Sequence, residues 1–402
     1  MISRDLNDTL TRFAKFPVVG VFGPRQSGKT TLVKKHFKNH TYLNFEDPDI
    51  RDFAVSDPRG FLKAHENSNG LILDEFQYVP QILSYIQLES DEKQKPGYFV
   101  LTGLQNFLMN QAITQSLAGR IGILTLLPLS LHELGNSGLL PTNVNEILLK
   151  GSYPRVHTDQ FIPDEFYPSY IHSYVERDVR QLVNVENLRV FRKFMQLCAA
   201  RVGQLLNISD LAMNCGVNQK TIEKWLSILE ASYILYLLMP YHKNFSKRAI
   251  KTPKLFFYDT GLACSLLGIK TIDEISLSPW KGHLFECLII SDFYKQFYNL
   301  GSRPPLYFWR DKNGHIEVDC IVERAQNLYS IEIKSTETIG SNLFGGLEKW
   351  RTITSAESST SYLVYAGDLS QVRSNGNLVG WKQAGSLISK INDHPNITQK
   401  AE

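Results

Sequence analysis

At 402 residues the chain is long for one compact core, and length alone suggests roughly two or three domains. Its 43% apolar and 21% charged residues match a soluble globular protein, and a net charge of +3 is too small to argue for a polyanionic partner by itself. The apolar runs Leu124 to Leu131 and Ser232 to Met239 are cut by Pro128 and Pro240, which leaves both short of a membrane span.

Residues 1–150 alternate apolar runs with helical stretches, the pattern of a parallel α/β sheet. Arg4, Asp5 and Asp8 come first, without the apolar core of a signal peptide. Val18 to Phe22 reads as a buried strand and Thr31 to Phe37 as the first turns of a helix. Between them runs Gly23-Pro24-Arg25-Gln26-Ser27-Gly28-Lys29-Thr30. Strand, glycine loop and helix in that order wrap backbone N–H groups around a polyphosphate. Gly23 and Gly28 let the backbone curl, Lys29 reaches the outer phosphates, and Thr30 puts its hydroxyl on Mg²⁺. Gly23 through Thr31 is the expected nucleotide-binding set.

Further strands are expected at Tyr42–Phe45, Gly70–Asp74, Gly97–Leu101 and Ile121–Leu127. The third ends in Asp74-Glu75, where Asp74 is expected to hold Mg²⁺ from the strand beside the glycine loop. Glu75 is the expected general base for the attacking water. Thr102, Gln105 and Asn106 follow the next strand as γ-phosphate or water sensors, or as ordinary turn residues. Arg120 is the first candidate for an arginine finger, ahead of Arg25 and Arg155; a surface ion pair is the competing reading for each.

Gly-Pro-Arg-Gln-Ser-Gly-Lys-Thr-Thr, Leu-Asp-Glu-Phe-Gln-Tyr-Val-Pro, Leu-Thr-Gly-Leu-Gln-Asn-Phe-Leu-Met and Leu-Ala-Gly-Arg with Leu-Pro-Leu-Ser resemble a family of prokaryotic AAA-like ATPases. The order of motifs matches along nearly the whole chain. The resemblance implies ATP as the nucleotide and a C-terminal domain of unknown role. Leu104 departs from it, since the sensor segment is expected to carry a small polar residue there.

Residues 151–255 read as a helical module. Tyr167 to Val183, with Glu176-Arg177-Asp178 on its polar side, and Phe191 to Val202 are helical in pattern. Ser209 is expected to cap a short helix, Cys215-Gly216-Val217 to turn, and Asn218 to Leu229 to form a second helix. That is a helix-turn-helix plan with Gln219, Lys220 and Lys224 facing DNA and Tyr233 to Tyr241 as a wing. His242, Lys243, Lys247, Arg248, Lys251 and Lys254 make a basic run, read as a phosphate-contacting surface or as a solvated face. A lid or a subunit contact, hence a homo-oligomer, is the alternative to DNA.

In residues 256–402, Glu286 lies one turn into a helix starting near Trp280. Strand alternation puts Glu317 with Asp319, and Glu332 with Lys334, on common faces. The pattern resembles the PD-(D/E)xK nuclease fold. The resemblance implies Glu286, Asp319 and Glu332 around a metal with Lys334 as catalytic lysine. The competing reading is a solvated sheet edge. Cys198, Cys215, Cys264, Cys287 and Cys320 are scattered, which fits a reducing cytoplasm and no disulfide framework. From His394 onward a frayed tail is expected.

Overall fold

Alternation of short apolar strands with amphipathic helices in the first part of the chain produces a five-stranded sheet. The computed structural model describes residues 2–103, 113, 115–175, 187–241, 250–324, 327–340 and 343–393. Two compact units divide it. The first comprises Met1–Leu129, Ser227–Ile234 and Tyr298–Ser302, and the second Ser130–Leu226, Leu235–Phe297 and Arg303–Glu402.

In the first unit the strands are β1 (Val18–Phe22), β2 (Thr41–Asn44), β3 (Leu71–Asp74), β4 (Phe99–Gly103) and β5 (Ile121–Thr125). Their order across the sheet is β2-β3-β4-β1-β5, and every pairing is parallel. Such a sheet buries both faces. Accordingly Val18, Phe22, Leu73 and Leu101 pack into one core with Ile82 and Ile86 of α3 (Ile82–Lys93). The alternate residues Val19, Val21, Ile72 and Val100 pack into another with Leu6 and Leu10 of α1 (Leu6–Phe13) and Leu32 and Val33 of α2 (Lys29–His36).

The second unit is built on a mixed eight-stranded sheet. Its strands are β6 (Leu235–Pro240), β7 (Lys254–Phe257), β8 (Leu306–Arg310), β9 (Glu317–Arg324), β10 (Asn327–Lys334), β11 (Ser361–Tyr365), β12 (Gln371–Arg373) and β13 (Gly376–Gly380). The order is β12-β13-β11-β10-β9-β8-β6-β7. Helices α4 (Leu188–Ala199), α5 (Ile208–Cys215), α6 (Gln219–Ala231), α7 (Thr260–Leu267), α8 (Lys281–Asn299) and α9 (Gly345–Thr354) accompany it in chain order. Trp309 on β8 and Trp350 on α9 are fully buried with ring centroids 5.0 Å apart.

Some local expectations change. The cap of α5 is Asn207, whose side chain accepts from Asp210 N, so Ser209 lies inside the helix. The helix expected from Tyr167 runs instead over Pro163–Tyr170 and widens into a π turn at Ile171–Val175. Glu176, Arg177 and Asp178 lie outside the described residues, as do Leu104, Gln105, Asn106, His242, Lys243, Lys247, Arg248 and the segment from His394. The expected wing strand is β6, which pairs antiparallel with β7 but also joins β8, so it belongs to the large sheet. All five cysteines are free and buried. Among the described residues no helix is long and apolar enough to cross a membrane.

Candidate nucleotide site and carboxylate cluster

The loop from Gly23 to Gly28 leaves β1 at the sheet's C-terminal edge and ends at Gly28, the N-cap of α2. Gly23 has φ +151°, and a Cβ there would lie 2.1 Å from the Leu126 carbonyl oxygen, so no other residue fits without moving β5's exit. Arg4 braces the loop from outside. Its guanidinium donates to the carbonyls of Ser27 and Leu127, both at 2.6 Å. The Lys29 ammonium, 5% exposed, lies inside the arc and donates to the carbonyls of Gly23 (3.0 Å) and Pro24 (2.8 Å). Ser27 Oγ and Gln26 Oε1 are buried without a hydrogen-bond partner among the described residues. Thr31 is exposed on the first turn of α2.

Asp74 ends β3, and β4 lies between it and β1, so its strand is one removed from the glycine loop. The carboxylate nonetheless reaches the start of α2. Thr30 Oγ1 donates to Asp74 Oδ2 at 2.8 Å, Tyr42 Oη donates to the same oxygen at 2.7 Å, and Thr102 Oγ1 on β4 donates to Oδ1. Burial, then the Asp74 hydrogen bond and charge, raise the Tyr42 hydroxyl above its ordinary titration range. A hydroxyl and a carboxylate are hard oxygen donors of the kind Mg²⁺ takes alongside phosphate oxygens and water, so this donor set fits that ion. Glu75 follows with φ +56°, in the left-handed region that costs a β-carbon residue about 1 kcal/mol or more. Gln77 Nε2 donates to Glu75 Oε2 and tethers it.

The arginines are placed otherwise. Arg120 Nε and Nη2 grip Asp91 at 2.6 and 2.9 Å, and the Arg120 carbonyl accepts from Val18 N, the first residue of β1. Arg120 therefore sits at the N-terminal edge of the parallel sheet, opposite the glycine loop. Of the two readings offered for Arg120, the ion pair is the one seen within the chain. Arg25 is buried at 8% exposure with Nη1 3.5 Å from Glu46 Oε1, and Arg155 pairs with Asp159 at 2.9 Å.

In the second unit Glu286 of α8, Asp319 of β9 and Glu332 and Lys334 of β10 come together, as their spacing suggests. Lys254 at the start of β7 joins them, although the sequence places it in a basic surface run. It is 3% exposed and donates to Glu286 Oε1 at 2.9 Å and Glu317 Oε1 at 2.5 Å. Lys334 Nζ pairs with Glu332 Oε1 at 2.5 Å, and Asp319 Oδ2 accepts from Ile333 N at 2.8 Å. Burial disfavours the Glu286 anion, but the charge and hydrogen bonds of Lys254 and His283 together hold the carboxyl below its usual range. Burial and the neighbouring carboxylates Glu332 and Glu286 push Asp319 well up. Among the described residues no group of three or more His, Cys, Asp or Glu side chains is arranged to hold a metal ion. The arrangement does not fit the expected metal site as it stands, because an ammonium occupies the place between the carboxylates.

On α6, Gln219, Lys220 and Lys224 are exposed, with Glu223 exposed among them; Gln219 Nε2 donates to Ser209 Oγ at 3.1 Å.

Sequence reasoning missed Arg4, Tyr42, Gln77 and Lys254. Only Gln77 stood inside a recognised motif.

Residues 15–135 match the family described as AAA domain, while residues 141–273 and 281–383 match domains of unknown function, DUF8612 and DUF4143. The uncharacterized proteins Rv2008c of Mycobacterium tuberculosis and Mb2031c of Mycobacterium bovis are each 30% identical over 326 residues, 80% of this chain and 71% of theirs. Similar solved structures include the Walker-type ATPase PABY2304 of Pyrococcus abyssi, at 14% identity and TM-score 0.43 over 65% of this chain and 94% of that one. Another is a RuvB variant of Thermotoga maritima, at 16% and 0.32 over 61% and 94%. At such TM-scores nothing passes from either to this chain. The chain belongs to the family of Rv2008c and Mb2031c, and its first part is an AAA-type P-loop ATPase domain.

Proposed function

We propose that this chain binds ATP with Mg²⁺ and hydrolyses it. The observation that carries the reading is Thr30 Oγ1 on Asp74 Oδ2 at 2.8 Å, with Glu75 adjacent, behind a glycine loop at the C-terminal edge of a parallel sheet. Backbone N–H groups of the loop from Arg25 to Thr31 face the phosphates, and Lys29 exchanges two carbonyl partners for phosphate oxygens. Thr30 and Asp74 hold Mg²⁺, which when bound offsets charge on the β- and γ-phosphates. Glu75 takes the proton of the attacking water as the water–phosphorus bond forms and the bond to the β-phosphate oxygen breaks. The strained backbone of Glu75 and the Gln77 tether fix that carboxylate's position.

Glu75→Gln tests this. Steady-state phosphate release is expected to fall by about 10²–10⁴-fold, the usual share of a general base, with nucleotide affinity kept. Unchanged turnover overturns the role of Glu75. Tight binding with negligible turnover in the unaltered chain favours a nucleotide-controlled switch instead.

A second reading, contact with DNA, rests on exposed Gln219, Lys220 and Lys224 beside the α5–α6 turn, with Lys247 and Arg248 in the following basic run. Under it residues 1–150 form the ATPase domain, 151–255 a winged-helix module and 256–402 a restriction-endonuclease-like domain. Assembly into a homo-oligomer would let Arg120 serve a neighbouring copy, and five reduced thiols suit the cytoplasm. DNA-stimulated phosphate release checks the reading.

A further inference from the structure

Lys254 is held in the cluster by its backbone as well as its charge. It pairs with Leu238 of β6 on one side and forms an isolated bridge with Leu205 on the other. The chain before that bridge also closes in. Gly203 has φ +73°, and a Cβ there would lie 2.8 Å from His283 Nδ1 and 3.2 Å from Glu286 Oε2. The ammonium thus sits where carboxylates from α8 and β9 converge. Glu332 adds an independent sign of a cation position. It is 7% exposed, and its Oε2 has no hydrogen-bond partner among the described residues. A buried carboxylate oxygen left so is costly unless a cation or donor meets it.

We propose that Lys254 is the resident cation of this cluster, and that its ammonium and a divalent metal ion compete for the same carboxylates. The competition does not depend on ATP hydrolysis in the first unit. It bears on the endonuclease-like reading in one way: a metal enters only when Lys254 withdraws, so the unaltered chain is closed to metal-dependent chemistry at rest.

The test uses the full chain without nucleotide, in an Asp74→Asn background so that the first unit's carboxylate contributes nothing. Bound Mn²⁺ is read from loss of the free-ion electron paramagnetic resonance signal. Lys254→Met is expected to bind Mn²⁺ at least ~10-fold tighter than the parent, the scale of one displaced ion pair. Adding Glu286→Gln, which removes a carboxylate that Lys254 holds, should remove the gain. Lys254→Gln, which keeps a donor for Glu286, replaces Lys254→Met if that variant does not melt cooperatively. Equal Mn²⁺ affinity in parent and variant overturns the proposal, as does a gain that survives Glu286→Gln and Glu317→Gln together.

Discussion

At the tip of β3, Asp74 is met by the hydroxyls of Thr30, Tyr42 and Thr102, while Glu286, Glu317 and Glu332 in the second unit are met by the ammonium groups of Lys254 and Lys334. Both places hold buried carboxylates: Asp74 in the first, Glu286 and Glu332 in the second. Hydroxyl donors stabilise a carboxylate without cancelling its charge; an ammonium cancels it. The hydrogen-bond donors on Asp74 are three hydroxyls, which suits the Mg²⁺ proposed there. The second cluster already has its counter-charge built in. Residue types alone would rank the two alike, and only the partners separate a site prepared for an incoming cation from one that carries its own.

Glu286→Gln should break the second half of that contrast with the largest effect in stability. It leaves Lys254 buried with Glu317 as its remaining bonded carboxylate, and breaking a buried pair costs about 3 kcal/mol or more. Denaturant unfolding with a probe in the second unit measures it; a loss under about 1 kcal/mol would mean the pair is solvated after all. The sign with pH is fixed too. Glu286 titrates below its ordinary value in the fold, so its contribution is present above that ordinary value and is lost as pH falls through the folded one. The variant's stability should therefore respond less to acid than that of the unaltered chain.

Tyr42→Phe sharpens the first half. It removes one hydroxyl from Asp74 and adds no charge, a loss of about 1.5 kcal/mol for a hydrogen bond to an ionised group. The expected result is a nucleotide-free stability lower by about 1 kcal/mol together with a roughly tenfold higher Mg²⁺ requirement for ATP turnover. If Mg²⁺ dependence is untouched while the melting temperature drops, Tyr42 is only packing.

These partners explain what could be read from the chain in advance. Strand, glycine loop and helix at residues 18–36 are local in sequence, and so are the carboxylates closing β3, because periodicity and glycine positions encode them directly. Alternation along two neighbouring strands that pair antiparallel put Glu317 with Asp319 and Glu332 with Lys334, while Glu286, on a helix, entered only through the resemblance to the nuclease fold. What escaped depends on strand order. Tyr42 meets Asp74 because β2 lies beside β3, and Thr102 does so because β4 is inserted between β3 and β1. Arg4 braces Leu127 across 123 positions of sequence. Lys254 looked like the end of a basic surface run, but it opens a strand whose side chain turns inward, while Lys251 nearby stays exposed. The cap at Asn207 was missed for a smaller reason: Asn and Ser cap about equally well, and sequence does not choose between neighbours.

Arg120→Ala is expected to do least. Strand direction decides this. β1 and β5 run parallel, Val18 pairs with Ile121, and Phe22 pairs with Thr125 before the glycine loop begins. Arg120 precedes that register, so about 16 Å of strand separates its backbone from the loop that follows Phe22. Its guanidinium is occupied by both oxygens of Asp91 on an exposed surface, where solvent screens the pair. Turnover of the isolated chain should change by less than about twofold, since nothing at the phosphates is touched. A loss of about 10³-fold, the scale of an arginine finger, that appears only at protein concentrations where the chain self-associates would reverse this. Arg120 would then leave Asp91 to complete a neighbour's site, and the first unit too would draw a counter-charge from protein, supplied by a second copy.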